Sequence, residues 1–223
     1  DYLKEQTNSS AIRSSVAEAD DVIALWIEAH KDSKNVIVST DSDFYQLISP
    51  TVNLYNGMTN QIVTANGFYD EKDNPVIDKK TNQPKGAPDP EWLLFEKCIR
   101  GDSSDNVFTA FPKVRKTKIK EAFDDRHNQG FVWNNFMLSK WTDHNGNDQV
   151  VKQCYERNKQ LVDLTQQPDE VRTNILTEIV RAQNSKAIEQ VGVRSMKFCN
   201  KYSLEKLAQN PTEHAQYLNK AYK

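Results

Sequence analysis

The sequence is poor in the residues that build soft metal sites and disulfide frameworks. Its three cysteines, Cys98, Cys154 and Cys199, are far apart and form no CxxC pair. That pattern argues against a thiolate zinc site or a stapled scaffold, and predicts reduced, buried thiols in a cytoplasmic protein. The four histidines (His30, His127, His144, His214) form no zinc-type cluster, so any bound metal would have oxygen ligands. No apolar run approaches the roughly 18 residues of a membrane span. A strong net charge is missing too: 29 basic against 31 acidic residues give −2 at pH 7. A polyanionic partner would therefore have to meet a local patch. No internal repeat is visible.

What is present is enough for a packed core. The chain has 223 residues, of which 37% are hydrophobic, and a mean hydropathy of −0.76. It reads as a hydrophilic globular protein of one large or two small domains.

Taken in order, residues 1–17 are polar and Ser-rich and read as a loop or frayed helix end. Ala19 to His30 has helical periodicity, and Asn35–Ser39 reads as a short buried strand. Thr40-Asp41-Ser42-Asp43 leaves that strand, and Phe44–Ile48 reads as a short helix. Val52–Tyr55 and Gln61–Thr64 bracket a hairpin, and residues 66–90 form an exposed excursion with a strand stub at Val76-Ile77. Pro90 opens a helix that Gly101 ends. Further helical patterns cover Val132–Trp141, Val150–Leu164, Glu170–Gln183, Lys186–Cys199, Ser203–Gln209 and Pro211–Tyr222. The fold expected is α/β, a mostly parallel central sheet flanked by helices, with a helical C-terminal part. Residues 1–111 are expected to form the core and 112–223 the helical domain.

Three acidic clusters stand out: Glu18/Asp20/Asp21, Asp41/Asp43 and Asp102/Asp105. Each lies at a helix start, a strand end or a helix end, where α/β proteins assemble sites. At about 100° per residue, Glu18 shares the arc of Val22, Leu25, Trp26 and Ala29. That predicts a carboxylate on the buried face, costly unless a cation satisfies it. Each cluster alone has an ordinary explanation as helix-start electrostatics or turn punctuation. Together they point to one site. Seven carboxylates converging without basic partners could not all stay ionised. Hard oxygen ligands without His or Cys favour Mg²⁺, with Mn²⁺ as substitute. Phosphodiester hydrolysis is the chemistry that most needs such a site, with two ions about 3.5–4 Å apart.

The one dense basic run, Lys113-Val114-Arg115-Lys116-Thr117-Lys118-Ile119-Lys120, reads as a solvated face or a phosphate contact. Two rival readings stay open. Asp41-Ser42-Asp43 after a strand also suits a DxD metal-dependent nucleotide-sugar transferase, which leaves Asp102/Asp105 unexplained. A non-catalytic DNA-binding module would make the acidic clusters helix caps.

Glu18-Ala19-Asp20-Asp21, then Ser39-Thr40-Asp41-Ser42-Asp43-Phe44-Tyr45-Gln46-Leu47, then Arg100-Gly101-Asp102-Ser103-Ser104-Asp105-Asn106 resemble the successive motifs of the 5′-nuclease superfamily. Pro88-Asp89-Pro90-Glu91-Trp92 and Glu156–Leu164 are most similar to its phage ribonuclease H branch. The resemblance implies a two-Mg²⁺ 5′-to-3′ exonuclease and flap endonuclease that removes RNA primers and flaps in phage DNA replication. It implies that Glu18, Asp20 and Asp21 serve the first ion, and Asp41, Asp43, Asp102 and Asp105 mainly the second. Lys113, Arg115, Lys116, Lys118 and Lys120 are then the expected DNA contacts. The implied partners are DNA and RNA–DNA duplexes with 5′ ends or flaps, and a single-stranded-DNA-binding or other replication protein. A monomer in the host cytoplasm is expected. The sequence departs from the family after Asn106, where Phe111-Pro112-Lys113 stands in place of a Gly-x-Gly turn, so the usual potassium-binding turn is not expected. The family's first strand, a second aspartate and most of the helical arch would precede Asp1. The chain therefore reads as N-terminally truncated, and weak or inactive alone.

Overall fold

The computed structural model describes residues 2–185 and 187–220. In chain order the elements are α1 (Tyr2–Gln6), α2 (Ala19–Ala29), β1 (Asn35–Val38), a 3₁₀ turn (Ser42–Leu47), β2 (Val52–Asn56), β3 (Gln61–Thr64), β4 (Gly67–Asp70) and α3 (Pro90–Arg100). Then come α4 (Lys116–Asp124), α5 (Phe131–Met137), β5 (Lys140–Thr142), β6 (Asp148–Val150), α6 (Val151–Val162), α7 (Asp169–Gln183), α8 (Val191–Lys201), α9 (Glu205–Ala208) and α10 (Pro211–Asn219). The chain forms two compact units, one of residues 1–29 and 168–223, the other of 30–167. The boundary expected at 111/112 falls inside the second unit. There Phe95 and Ile99 of α3 share a core with Ile119, Ala122 and Phe123 of α4.

The first unit is helical. Leu25 of α2 packs against Ile175 and Ile179 of α7, all essentially inaccessible, with Val22, Trp26 and Leu176 around them. Arg172 grips Glu28 through both guanidinium nitrogens across the same pair of helices. The expected helix at Lys186–Cys199 begins instead at Val191, after Gln190 adopts a left-handed conformation. Lys186 itself, like Tyr222 of the last expected helix, lies outside the described residues.

The second unit carries the sheet, in the order β1-β2-β3-β4. The α/β class holds, with one parallel pairing (β1/β2) and two antiparallel ones. Parallel order is confined to β1/β2 because β2, β3 and β4 follow one another through short turns, which force antiparallel pairing. The turn at Ala65-Asn66 adds β4, a strand within the stretch read as an excursion. Its Phe68 is buried, and Tyr45 meets that ring edge-on. β1 is half-buried rather than buried. Ile37 points inward while Val36 and Val38 are exposed, because successive side chains alternate between faces and only one face of β1 is covered among the described residues.

The helix expected over Val132–Trp141 stops at Met137, and Trp141 lies in a β5/β6 hairpin instead. The Asp143 carboxylate accepts the backbone N–H groups of Asn145 and Asn147 and so closes that hairpin's turn, with Gly146 at φ 85°. Trp141 donates its indole N–H to the Ala110 carbonyl. All three cysteines are free and buried. Among the described residues no helix is long and apolar enough to cross a membrane.

Candidate metal centre

Asp43 is placed by the 3₁₀ turn that follows β1. Asp41 caps this turn, its carboxylate accepting the Asp43 N–H at 2.9 Å. The cap separates their roles: Asp41 is exposed and holds the turn, while Asp43 faces α3.

α3 is well terminated at both ends. Asp89 accepts the Trp92 N–H, Pro90 occupies the first turn, and Gly101 ends the helix at φ 73°. A Cβ on Gly101 would lie 2.4 Å from the Val107 carbonyl oxygen, so only glycine fits. The chain then folds into a tight loop. Asp102 and Val107 exchange backbone hydrogen bonds of 2.8 and 2.7 Å, and Asn106 takes a left-handed conformation. Asp102 and Asp105 project from this loop on one side.

Asp43, Asp102 and Asp105 each present a carboxylate oxygen within 4.8 Å of the others. Lys97, one turn back on α3, reaches into the group. Its Nζ lies 2.9 Å from Asp102 and 3.3 Å from Asp105, and forms a close ion pair with Asp43. A depression of about 340 Å³ is lined by Asp43, Lys97 and Asp102, together with Tyr45, Gln46, Glu96 and Arg100. The Ser104 hydroxyl and backbone N–H, together with Lys97, hold Asp102 far below the ordinary carboxylate range, hence fully ionised. Burial pulls the Lys97 ammonium down, but the hydrogen bonds to Asp43 and Asp102 outweigh it and raise the pKa above the usual lysine value.

Sequence reasoning missed Lys97. It assumed a carboxylate cluster without a basic partner, and the signal available was a lysine five residues before Asp102, in the last turn of the helix leading to it. With three hard oxygen donors and an ammonium already among them, the group suits a cation. It fits Mg²⁺ or Mn²⁺ in donor type.

Glu18, Asp20 and Asp21 belong to the other unit, at the start of α2. The expected burial of Glu18 does not hold. The helix begins at Ala19, so the Glu18 side chain leaves the helical arc and is exposed. Asp21 accepts the Glu18 backbone N–H at 3.2 Å, half of a capping box.

The basic run lies just before and along α4, whose Ile119, Ala122 and Phe123 face inward. Lys113, Arg115, Lys116, Lys118 and Lys120 are all exposed. Lys116 pairs with Glu96 at 3.0 Å and Lys120 with Asp124 at 2.8 Å. Both ammonium groups also lie over the Trp92 ring, at 5.5 and 5.3 Å.

Residues 2–74 match the family described as 5′-3′ exonuclease, N-terminal resolvase-like domain. DNA polymerase I of Rhizobium leguminosarum is 36% identical over 102 residues, which make up 45% of this chain and 9% of that polymerase. Among solved structures, a mutant of the bacteriophage T5 5′-exonuclease has a TM-score of 0.46 at 17% identity, covering 74% of this chain and 66% of its own. A bacteriophage T5 flap endonuclease in a pseudo-enzyme–product complex with DNA and metal ions has the same TM-score at 18% identity, covering 74% and 59%. The chain thus spans a small part of the curated relative and under two thirds of the latter structure. The match over residues 2–74 includes Glu18, Asp20, Asp21, Asp41 and Asp43, so over that third of the chain the sequence is similar to the 5′-3′ exonuclease family.

Proposed function

We propose that the chain is part of a Mg²⁺-dependent 5′-to-3′ exonuclease and flap endonuclease, of the kind that removes RNA primers and flaps during phage DNA replication. The observation that supports this most is the meeting of Asp43, Asp102 and Asp105 within 4.8 Å at the end of α3. These are three of the four residues that the family resemblance assigns mainly to the second ion, the fourth being Asp41. On this reading Asp43, Asp102 and Asp105 hold that ion, and Asp41 holds the turn that presents Asp43. The family resemblance assigns Glu18, Asp20 and Asp21 to the first. Bound Mg²⁺ supplies a lowered pKa for an attacking water and charge stabilisation for the leaving oxygen.

The chain's own residues do the rest. The Ser104 hydroxyl and N–H, with Lys97, hold the Asp102 carboxyl below the ordinary range, which favours the charged form that a cation needs. Lys97 neutralises part of the cluster's charge and, when a cation takes those oxygens, is free to turn toward a phosphate. Lys113, Arg115 and Lys118, which form no ion pair among the described residues, suit the duplex backbone best. Lys116 and Lys120 can exchange their exposed pairs for phosphates at little cost, since such pairs contribute only about 0–1 kcal/mol.

Lys97 also favours a second reading. An ammonium kept in the cluster would make it a structural ion-pair network on a DNA-binding module that does not cut. Digestion of a 5′-labelled flap substrate by the protein, with Mg²⁺ or EDTA, separates the two. The nuclease reading expects Mg²⁺-dependent cleavage that Asp43→Asn and Asp102→Asn abolish. Retained binding without cleavage in the unsubstituted protein would favour the module.

A further inference from the structure

Two segments carry the clustered carboxylates, and both are tied to the same stretch of α6. Asn158 is completely buried and its side chain is fully used. Its amide donates to the Cys98 carbonyl at 2.8 Å and to the Phe108 carbonyl at 2.7 Å, while its oxygen accepts from Arg157 at 3.3 and 3.2 Å. Cys98 and Phe108 flank the Asp102–Val107 loop, so one side chain staples both ends of the strap that holds Asp102 and Asp105.

One turn further on, Gln46 reaches α6 from the 3₁₀ turn. Its amide donates to the Val162 carbonyl at 3.1 Å, and its oxygen accepts the Leu164 N–H at 3.4 Å. Gln46 is three residues from Asp43. Beneath the two attachments, Cys98, Val107 and Val162 form one apolar cluster with Leu94 and Tyr155. Burial holds the Cys98 thiol up at about 12, so it sits there as an uncharged apolar group.

We propose that Asn158 and Gln46 are positioning residues. With the end of α6 they form a clamp that sets the distance between Asp43 and the Asp102/Asp105 loop. Neither touches a carboxylate. Each fixes the backbone that aims one, and α6 is the common reference. Partners hydrogen-bonded directly to metal ligands commonly govern affinity by about 10–100-fold, and the clamp acts one step further back, through the backbone that carries the ligands. The metal part of the proposal rests on the reading of the preceding subsection. The clamp itself does not.

The test uses the 223-residue chain with Gln46→Leu and Asn158→Ala, read by amide hydrogen exchange and by calorimetric titration with Mn²⁺. The clamp expects faster exchange confined to the 42–47 segment for Gln46→Leu and to the 102–108 segment for Asn158→Ala. It also expects Mn²⁺ affinity to fall about 10-fold or more, at a temperature where circular dichroism shows the variants folded. Unchanged exchange in both segments would overturn the clamp. Loosened segments with unchanged Mn²⁺ affinity would overturn its role in the metal site. No Mn²⁺ binding by the unsubstituted chain would instead overturn the metal reading, and exchange alone would then decide the clamp. Should Asn158→Ala fail to fold, Gln46→Leu, at a half-exposed position, decides both points.

Discussion

The Lys97 ammonium lies 2.9 Å from a carboxylate oxygen of Asp102. It therefore sits where a divalent cation would have to bind the same oxygens. Ammonium and metal compete, and repel each other if both stay close. Lys97→Met is expected to tighten Mn²⁺ binding about tenfold, equivalent to about 1.4 kcal/mol. Without metal the same variant should melt lower, because three carboxylates lose their counter-charge, and added Mn²⁺ should restore the loss. Calorimetric titration and thermal melts with and without Mn²⁺ check both. Weaker Mn²⁺ binding would show that Lys97 organises the ligands more than it competes for them.

Gly101 is the position at which the loop geometry tolerates no side chain. Gly101→Ala should destabilise the chain by about 1–3 kcal/mol, since alanine would have to adopt a positive φ against the Val107 carbonyl. A urea melt measures this. A loss below about 0.5 kcal/mol would mean that the Asp102–Val107 bridge is easily remade.

Glu96 supplies the acid limb of stability in this region. Burial raises its pKa, but hydrogen bonds from Lys116 and Arg100 outweigh it, so the folded value lies below the ordinary 4.5. A carboxyl depressed in the folded state contributes fully above its unfolded pKa and loses that contribution as pH falls through the folded one. The contribution is thus whole at pH 6, and fades below about 4.5. Glu96→Gln should lower stability at pH 7 and flatten its decline between about pH 5 and 3. Melts across that range decide, and parallel curves for the two proteins would refute the assignment.

Of the fold, the local elements were legible in the sequence, and the long-range ones were not. Asp89-Pro90 and Gly101 mark both ends of α3 in the sequence itself, because capping chemistry is local. The same holds for the hairpin around Asn56-Gly57. The two-unit division is not local. It depends on Leu25 packing against Ile175 and Ile179, about 150 residues away, and periodicity carries no record of which faces meet. For the site, the joint occurrence of acidic clusters singled out Asp43, Asp102 and Asp105 but did not show Asp41 turning to cap its own backbone, nor Lys97 entering the cluster. Glu18 was misread because a periodicity argument assumed helix one residue too early. The segment Glu156–Leu164 was visible as a motif without a task, since Asn158 acquires its partners only when α6 meets α3.

For the basic surface, Arg115 and Lys118 should matter more than Lys116, whose charge is shared with Glu96. Arg115→Ala and Lys118→Ala are each expected to weaken DNA binding uniformly across sequences and to reduce the salt slope by about one. Fluorescence anisotropy at several salt concentrations reads both quantities. Unchanged slopes would return the run to a solvated face.

The central claim is that Asp43, Asp102 and Asp105 together hold a divalent cation. Its most direct measurement is calorimetric titration of the 223-residue chain with Mn²⁺, beside Asp43→Asn and Asp102→Asn. The account predicts saturable binding that each substitution weakens at least tenfold, about 1.4 kcal/mol. No binding by the unsubstituted chain, or binding that neither substitution changes, would contradict it.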